Sequence, residues 1–284
     1  MIPWWLRIAT KLVLTRIPIG YRLFAAIGIF RHGRMHDASY AMGVFARHFE
    51  RTGLDASDTE FVGLEFGVGD SIASALLTNA HGASKCYLVD AGKFSVEDLD
   101  TYRSLAKALT EQGRQLASMD NARTFDDVLE LYNGVYLTDG LRSLQTIPTE
   151  SVDFIWSNAV LEHVRRAEFE PVMTELRRIL KPGGVVSHRV DLKDHLGGAL
   201  NNHCVSTNLW EKDWFARSGF YTNRISYSQM LDLFERCGFA IEVVQVDRWE
   251  SLPTAIEKMA PEFQSLDETD LLVSGFDVLL RSKG

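Results

Sequence analysis

The chain has 284 residues, 46% of them hydrophobic, which suffices for one large α/β domain or for a good core plus an extension. A formal charge of −8 excludes a general nucleic-acid footprint, and three scattered cysteines, Cys86, Cys204 and Cys237, fit a reduced, cytoplasmic setting better than a disulfide scaffold. No uncharged apolar run approaches the roughly 20 residues of a membrane span.

The charge is unevenly spread. Residues 1–36 carry Arg7, Lys11, Arg16, Arg22, Arg31 and Arg34 and no acidic residue. They read as two short helices parted near Pro18, the second of them, around Tyr21 to Phe30, strongly apolar. Two readings stand side by side. One is a peripheral membrane foot at the inner face of the membrane, with Trp4 and Trp5 at the water–lipid boundary. The other is a helical extension packed on the rest of the chain, or on a second copy in a homo-oligomer. His36 to His48 continues as helix and stops at Arg51-Thr52-Gly53, so residues 1–53 are taken as an N-terminal helical extension and 54–284 as the main domain.

That domain is organised around Phe61 to Asp70. Val62, Leu64 and Phe66 mark a buried strand, Gly67 and Gly69 a sharp turn that lets backbone approach a ligand, and Asp70-Ser71 the expected N-cap of a helix running to Asn79. Such a joint is either a nucleotide cradle or an ordinary turn. Lys85 to Asp90 is a second strand, and Asp90 lies 21 residues beyond Gly69, the spacing at which an acid binds ribose hydroxyls; a turn-capping Asp is the alternative. Residues 97–112 read as helix, followed by a polar segment. Gly134 to Thr138 is a third strand ending in Asp139-Gly140, where Asp139 is either an acceptor for an adenine amino group or a turn residue. Ser151 to Asn158 is a fourth strand. Arg166 to Leu180 is an amphipathic helix stopped by Lys181-Pro182-Gly183-Gly184, and Val185 to Val190 is a fifth strand. A helix over Tyr227 to Cys237 and strands over Ile241–Val246 and Ser274–Leu280 complete a mostly parallel sheet ending in a hairpin-like pair.

Leu64 to Gly69, Leu88-Val89-Asp90, Ser151 to Val164 and Leu180 to Gly184 together resemble the class I S-adenosylmethionine-dependent methyltransferases, well over residues 60–190 and loosely elsewhere. The resemblance implies a Rossmann-like seven-stranded sheet with an antiparallel last strand and helices on both faces. It implies S-adenosylmethionine as cofactor, with Glu65, Gly67 and Gly69 lining the methionine and ribose region, Asp90 on the ribose, Asp139 at the adenine and Asn158 as floor. Asp70 stands where many members have a third glycine. A Gly-Asp-Ser turn resembles a subgroup linked to methylation of sugars, glycolipids and bacterial surface polysaccharides. The same departure counts against a nicotinamide dehydrogenase, which would need glycine where Ile72 stands.

Methyl transfer to a hydroxyl needs positioning and a base. His188, Asp191 and His195 leave the carboxyl end of the fifth strand, the ligand edge of such sheets. His195 is the first candidate base and His188 the second, with an Asp orienting whichever acts; a loop-tying role is the alternative. Glu162-His163 is similar to a metal-binding pair of this fold, but Ala159 stands where another Glu is usual, so Asp191 or His188 would have to complete a divalent-ion site. Residues 196–226 read as a lid. Trp210, Trp214, Tyr221, Asn223 and Arg224 suit a sugar ring and its hydroxyls, or else a small satellite core. The expected function is methylation of a hydroxyl on a sugar or lipid-linked saccharide. The alternatives are a small natural-product O- or N-methyltransferase and a non-catalytic cofactor-binding subunit.

Overall fold

The computed structural model describes residues 3–14, 34–54 and 60–283; the apolar helix expected around Tyr21 to Phe30 lies outside them. Seven strands form one sheet in the order β3-β2-β1-β4-β5-β7-β6. These are β1 (Phe61–Phe66), β2 (Ala83–Val89), β3 (Gly134–Leu137), β4 (Val152–Asn158), β5 (Leu180–Asp191), β6 (Phe239–Arg248) and β7 (Val273–Ser282). The first five run parallel, while β7 is antiparallel to both β5 and β6, between which it is inserted. The strand order reverses between β1 and β4, and ligands bind at the carboxyl ends beside such a switch.

Strand residues alternate between two cores because successive side chains point to opposite faces. Phe61, Cys86, Leu88, Phe154 and Trp156 face one layer, built from α2 (Ala38–Phe49), α3 (Ala73–Asn79), α4 (Leu99–Glu111) and α5 (Phe125–Leu131). Leu64, Phe66, Val89, Ile155 and Val186 face the other, built from α6 (Gly140–Thr146), α7 (Arg166–Ile179) and α10 (Tyr227–Arg236). Although α2 falls inside the segment read as an extension, its Phe45 packs edge-on against Trp156, with ring centroids 5.6 Å apart, and is 1% exposed. It is part of the sandwich.

Two helices replace what reads as a polar segment and a turn. α5 is announced by a capping box in which Thr124 and Asp127 satisfy each other's backbone N–H groups. α6 follows directly on Asp139-Gly140. The first helix after the glycine turn starts at Ala73 rather than Ser71, with Ile72 at its cap position and no side-chain cap; the Ser71 hydroxyl accepts the Ala73 N–H at 3.2 Å. Asp70 is drawn elsewhere, as described below.

Two smaller clusters sit beyond the carboxyl edge. One joins α1 (Trp4–Leu14), through Ile8, to Leu196, Trp210, Phe215, Phe220 and Tyr221 of the 196–226 segment. That segment holds the one-turn helices α8 (Thr207–Trp210) and α9 (Asp213–Ala216). The second seats Leu200 on Met259, Phe263 and Leu271, beside α11 (Glu268–Leu271).

Candidate active site

β1 delivers Glu65 and then the turn. Gly67 has φ +84°, and a Cβ there would lie 2.2 Å from the Val160 side chain, so both backbone and space demand glycine. Gly69 has φ +67°, and its N–H donates to the Asp90 carboxylate at 2.8 Å. The same carboxylate accepts the Ala91 N–H at 2.7 Å, and the Asp90 carbonyl accepts the Gly140 N–H at 2.8 Å. Asp90 thus fastens the ends of β1, β2 and β3 to one another. This brings Glu65, Gly67, Gly69 and Asp90 into one cradle. Val160, against Gly67, brings the end of β4 and Asn158 beside it. Asp139 is exposed at the rim, its carboxylate 3.8 Å from Arg142 and its N–H on the Ser143 hydroxyl.

Glu65 is 2% exposed, and burial, helped by the neighbouring charges of Asp90 and Asp70, pushes its carboxyl up to about 8 against the pull of Ser74. Its Oε2 has no hydrogen-bond partner among the described residues. A buried carboxyl beside the Ser74 hydroxyl and the Trp156 indole, next to a turn with no room for a side chain at Gly67, fits a nucleoside-bearing cofactor such as S-adenosylmethionine. Asp70 faces away from this cradle. Its carboxylate accepts the Met35 N–H at 3.1 Å and pairs with His36 Nδ1 at 2.6 Å. The residue in the third glycine's place therefore clasps the segment before α2, a role that its sequence neighbourhood does not reveal.

The expected catalytic residues separate. His188 is fully buried, its Nδ1 2.7 Å from the Ser157 hydroxyl and its ring 6.2 Å from that of Phe234. It points into the layer of α7 and α10, where an acceptor cannot reach it. His195 is exposed, with its ring 4.8 Å from that of His163. Desolvation first, and the Lys11 ammonium of α1 second, hold its pKa below the usual imidazole value against the attraction of Asp191 and Asp194. Asp191 accepts the Lys193 N–H at 3.0 Å.

Asp194, and not His195, organises the loop. One carboxylate oxygen accepts N–H groups from Leu196, Gly198 and Ala199, and the other accepts that of Asn201 at 2.6 Å. Asp194→Ala should therefore lower stability by about 3 kcal/mol and open the 196–226 segment to limited proteolysis at protein concentrations where the parent resists. Unchanged melting and cleavage would remove Asp194 from this role.

Most of the expected substrate residues are occupied by partners in the 196–226 segment and the chain around it. Trp210 is buried and donates its indole N–H to the Thr222 carbonyl at 2.7 Å. Arg224 stacks over Trp210 at 4.9 Å and Phe263 at 4.7 Å while donating to the carbonyls of Asn202 and Val205. Asn223 donates to the carbonyls of Leu161 and Val164. The Tyr221 hydroxyl donates to Glu211 and accepts the Arg166 N–H. These side chains build the satellite core and anchor it to the 3₁₀ turn Leu161–His163. Trp214 alone of the five is exposed, at 47%.

No group of His, Cys, Asp and Glu that could hold a metal ion forms among the described residues. Glu162, His163 and Asp191 do not converge as a ligand set. His163 Nδ1 meets the Tyr221 carbonyl at 2.9 Å, and the Glu162 carboxyl is buried, its pKa pushed up to about 8 by burial against the pull of the Glu162 and Asp191 backbone. A recess of about 810 Å³ lies between α6, α7 and α10, lined by residues such as Gln145, Glu170 and Asp232, and includes none of the cradle.

Residues 64–187 match a family model described as a methyltransferase domain. Among solved structures the chain is similar to a putative sarcosine dimethylglycine methyltransferase from Galdieria sulphuraria, with 15% identity, 92% of this chain and 97% of that one covered, and a TM-score of 0.49. It is similar to an S-adenosylmethionine-dependent methyltransferase from Methanosarcina mazei, with 14% identity, coverage of 82% and 96%, and a TM-score of 0.49. A third is phosphoethanolamine N-methyltransferase 2 of Haemonchus contortus, in complex with phosphomonomethylethanolamine and S-adenosylhomocysteine, at 14% identity and a TM-score of 0.45. That match covers 85% of this chain, which spans only about half, 53%, of the nematode protein. No curated protein matches the chain.

Proposed function

We propose that this protein, whose residues 64–187 match a methyltransferase-domain model, is an S-adenosylmethionine-dependent methyltransferase that methylates an acceptor hydroxyl on a sugar or lipid-linked saccharide, beneath a lid formed by residues 196–226. The cofactor supplies a methyl group already activated on a sulfonium sulfur, so the chain's own work is to bind, orient and take up a proton. The observation that carries the reading is the cradle held by the 2.8 Å bond from the Gly69 N–H to Asp90.

In this reading Glu65, Gly67, Gly69 and Asp90 hold the cofactor, with Asn158 below and Asp139 at the rim. His195 accepts the acceptor's proton. It stays uncharged at neutral pH because desolvation and the Lys11 charge keep its pKa low. Trp214, exposed on the lid, offers a face for a sugar ring. The N-terminal segment places this chemistry at a membrane.

Two variants test the assignment. Asp90→Ala is expected to weaken S-adenosylmethionine binding by about 10- to 100-fold in calorimetric titration, the worth of a charge-assisted bond. His195→Ala should leave that binding intact and lower turnover about 100-fold or more. Turnover is read as label passing from methyl-labelled cofactor into separated lipid, polysaccharide and small-molecule fractions. Label confined to the small-molecule pool would overturn the saccharide acceptor, and undiminished binding by Asp90→Ala would overturn the cradle.

A further inference from the structure

α1 has two faces of different character. Its inner face is bolted to the lid: Ile8 is buried among Leu196, Trp210, Phe215, Phe220 and Tyr221, Trp4 and Leu12 pack beside it, and Lys11 Nζ donates to the Gly219 carbonyl at 3.3 Å. At 100° per residue the opposite face is formed by Trp5, Leu6, Ala9, Thr10 and Val13. All five are exposed, Trp5 at 57% and Val13 at 61%, and none is charged. The two cations of the helix, Arg7 and Lys11, lie on its inner half and border this face without interrupting it.

We propose that this outward face of α1 docks on an anionic lipid surface. A helix of 11 residues is about 16 Å long and about 10 Å wide, so the face offers on the order of 160 Å², against about 800 Å² per partner in a standard protein interface. It is too small to hold a second copy of the chain. Lipid sets no such minimum, since attraction grows with each apolar side chain that enters the headgroup boundary and each basic residue beside it. Tryptophan at the start of a helix suits that boundary. Charge agrees: the net charge is −8, yet residues 1–36 hold six basic residues and no acid. The basic N-terminal sequence is attracted to an anionic surface that the net charge of the rest of the chain opposes.

Since the inner face of the same helix is packed on the lid, docking brings the lid to the lipid surface, where a lipid-anchored acceptor is met. That consequence rests on the methyltransferase reading above; the docking itself does not.

The test is flotation of the full chain with vesicles of phosphatidylcholine alone or with added phosphatidylglycerol. The parent is expected to float with the anionic vesicles and remain below with the neutral ones. Trp5→Ser combined with Val13→Ser should lower the floated fraction about tenfold, with melting temperature and S-adenosylmethionine affinity unchanged because neither residue touches the lid or the cradle. Absence of flotation with anionic vesicles overturns the proposal, as does flotation unaffected by the double variant. A concentration-dependent dimer that the double variant abolishes also overturns it, assigning the face to a second copy. Methyl transfer to a soluble saccharide, measured without vesicles, reports separately on the enzymatic reading.

Discussion

Gly67→Ala is expected to destabilise the protein by about 2–5 kcal/mol and to abolish measurable S-adenosylmethionine binding. Two costs combine. A side chain at φ +84° sits in a region costing L-residues roughly 1–2 kcal/mol, and an added Cβ overpacks against Val160, a further roughly 1–3 kcal/mol. The Val160 atoms within 3 Å of that Cβ position are side-chain atoms, so the clash has a remedy that the strain does not. Gly67→Ala with Val160→Ala removes the two nearest atoms, leaves the Val160 Cβ at 2.9 Å, and should recover most of the packing portion in thermal melts while cofactor binding stays weak. Full recovery of both by the double variant would show that φ at this turn is unimportant; no recovery at all would show that the Val160 methyl groups are not the obstacle. The coupling matters because Val160 belongs to the segment leading from β4 to Glu162 and His163. The glycine turn of the cradle and the chain that leads to the 3₁₀ turn Leu161–His163 are in direct contact.

The second large effect is in acid and base, where two sets of buried groups oppose each other. Burial depresses His48 to about 4 and His188 and His203 to about 3, from an ordinary 6.5. The unfolded chain therefore takes up protons below pH 6.5 that the folded chain refuses, and stability falls with pH from there down toward 3. Burial raises Glu65 and Glu162 from 4.5 to about 8. The folded chain keeps protons that the unfolded chain has lost, so their contribution is complete below pH 4.5 and disappears as pH rises through 8. Above pH 6.5 only the carboxyls act, and stability declines toward alkali. Below pH 4.5 only the histidines act, and it declines toward acid. Each group contributes several kcal/mol at most, so melting temperature should peak near pH 6, with a fall of several degrees on either side by pH 4 and pH 8. A flat profile across pH 5–8 would mean that these groups are hydrated in solution. Cofactor binding that donates to Glu65 should favour its ionised form and flatten the alkaline limb.

What the sequence discloses follows the range of the interaction that fixes each residue. Gly67, Gly69 and Asp90 are legible because the turn and the strand spacing that define them are local, and they meet in one cradle. The helix stop at Lys181 to Gly184 is equally local. The parity of β5 already separates His188 from Asp191, and the structure sends His188 into the core beside Ser157 and Phe234. Arg224, Asn223 and Trp210 carry a composition suited both to gripping a sugar and to building a small core. Only their partners, the Asn202 and Val205 carbonyls, Phe263 and the Leu161–Val164 turn, decide what they touch. Asp194 was within reach, since an Asp followed by glycines and asparagines invites a carboxylate-centred loop. The clasp from Asp70 to Met35 and His36 spans some 35 residues and leaves no local trace.

The insertion of β7 between β5 and β6 also sets an order of assembly. Among the described residues β6, over Phe239–Arg248, has no neighbour in the sheet except β7, which starts only at Val273. During synthesis β5 and β6 both wait as bare, apolar-flanked edges until the later strand arrives and closes both ladders at once. The half of the molecule that holds the cradle can gain its parallel sheet early, while the edge beside the lid stays adhesive for longest. A chain interrupted between Arg248 and Val273 would carry a nearly finished cradle and two unsatisfied strands, which makes it a substrate for chaperones and a seed for aggregation rather than a smaller enzyme.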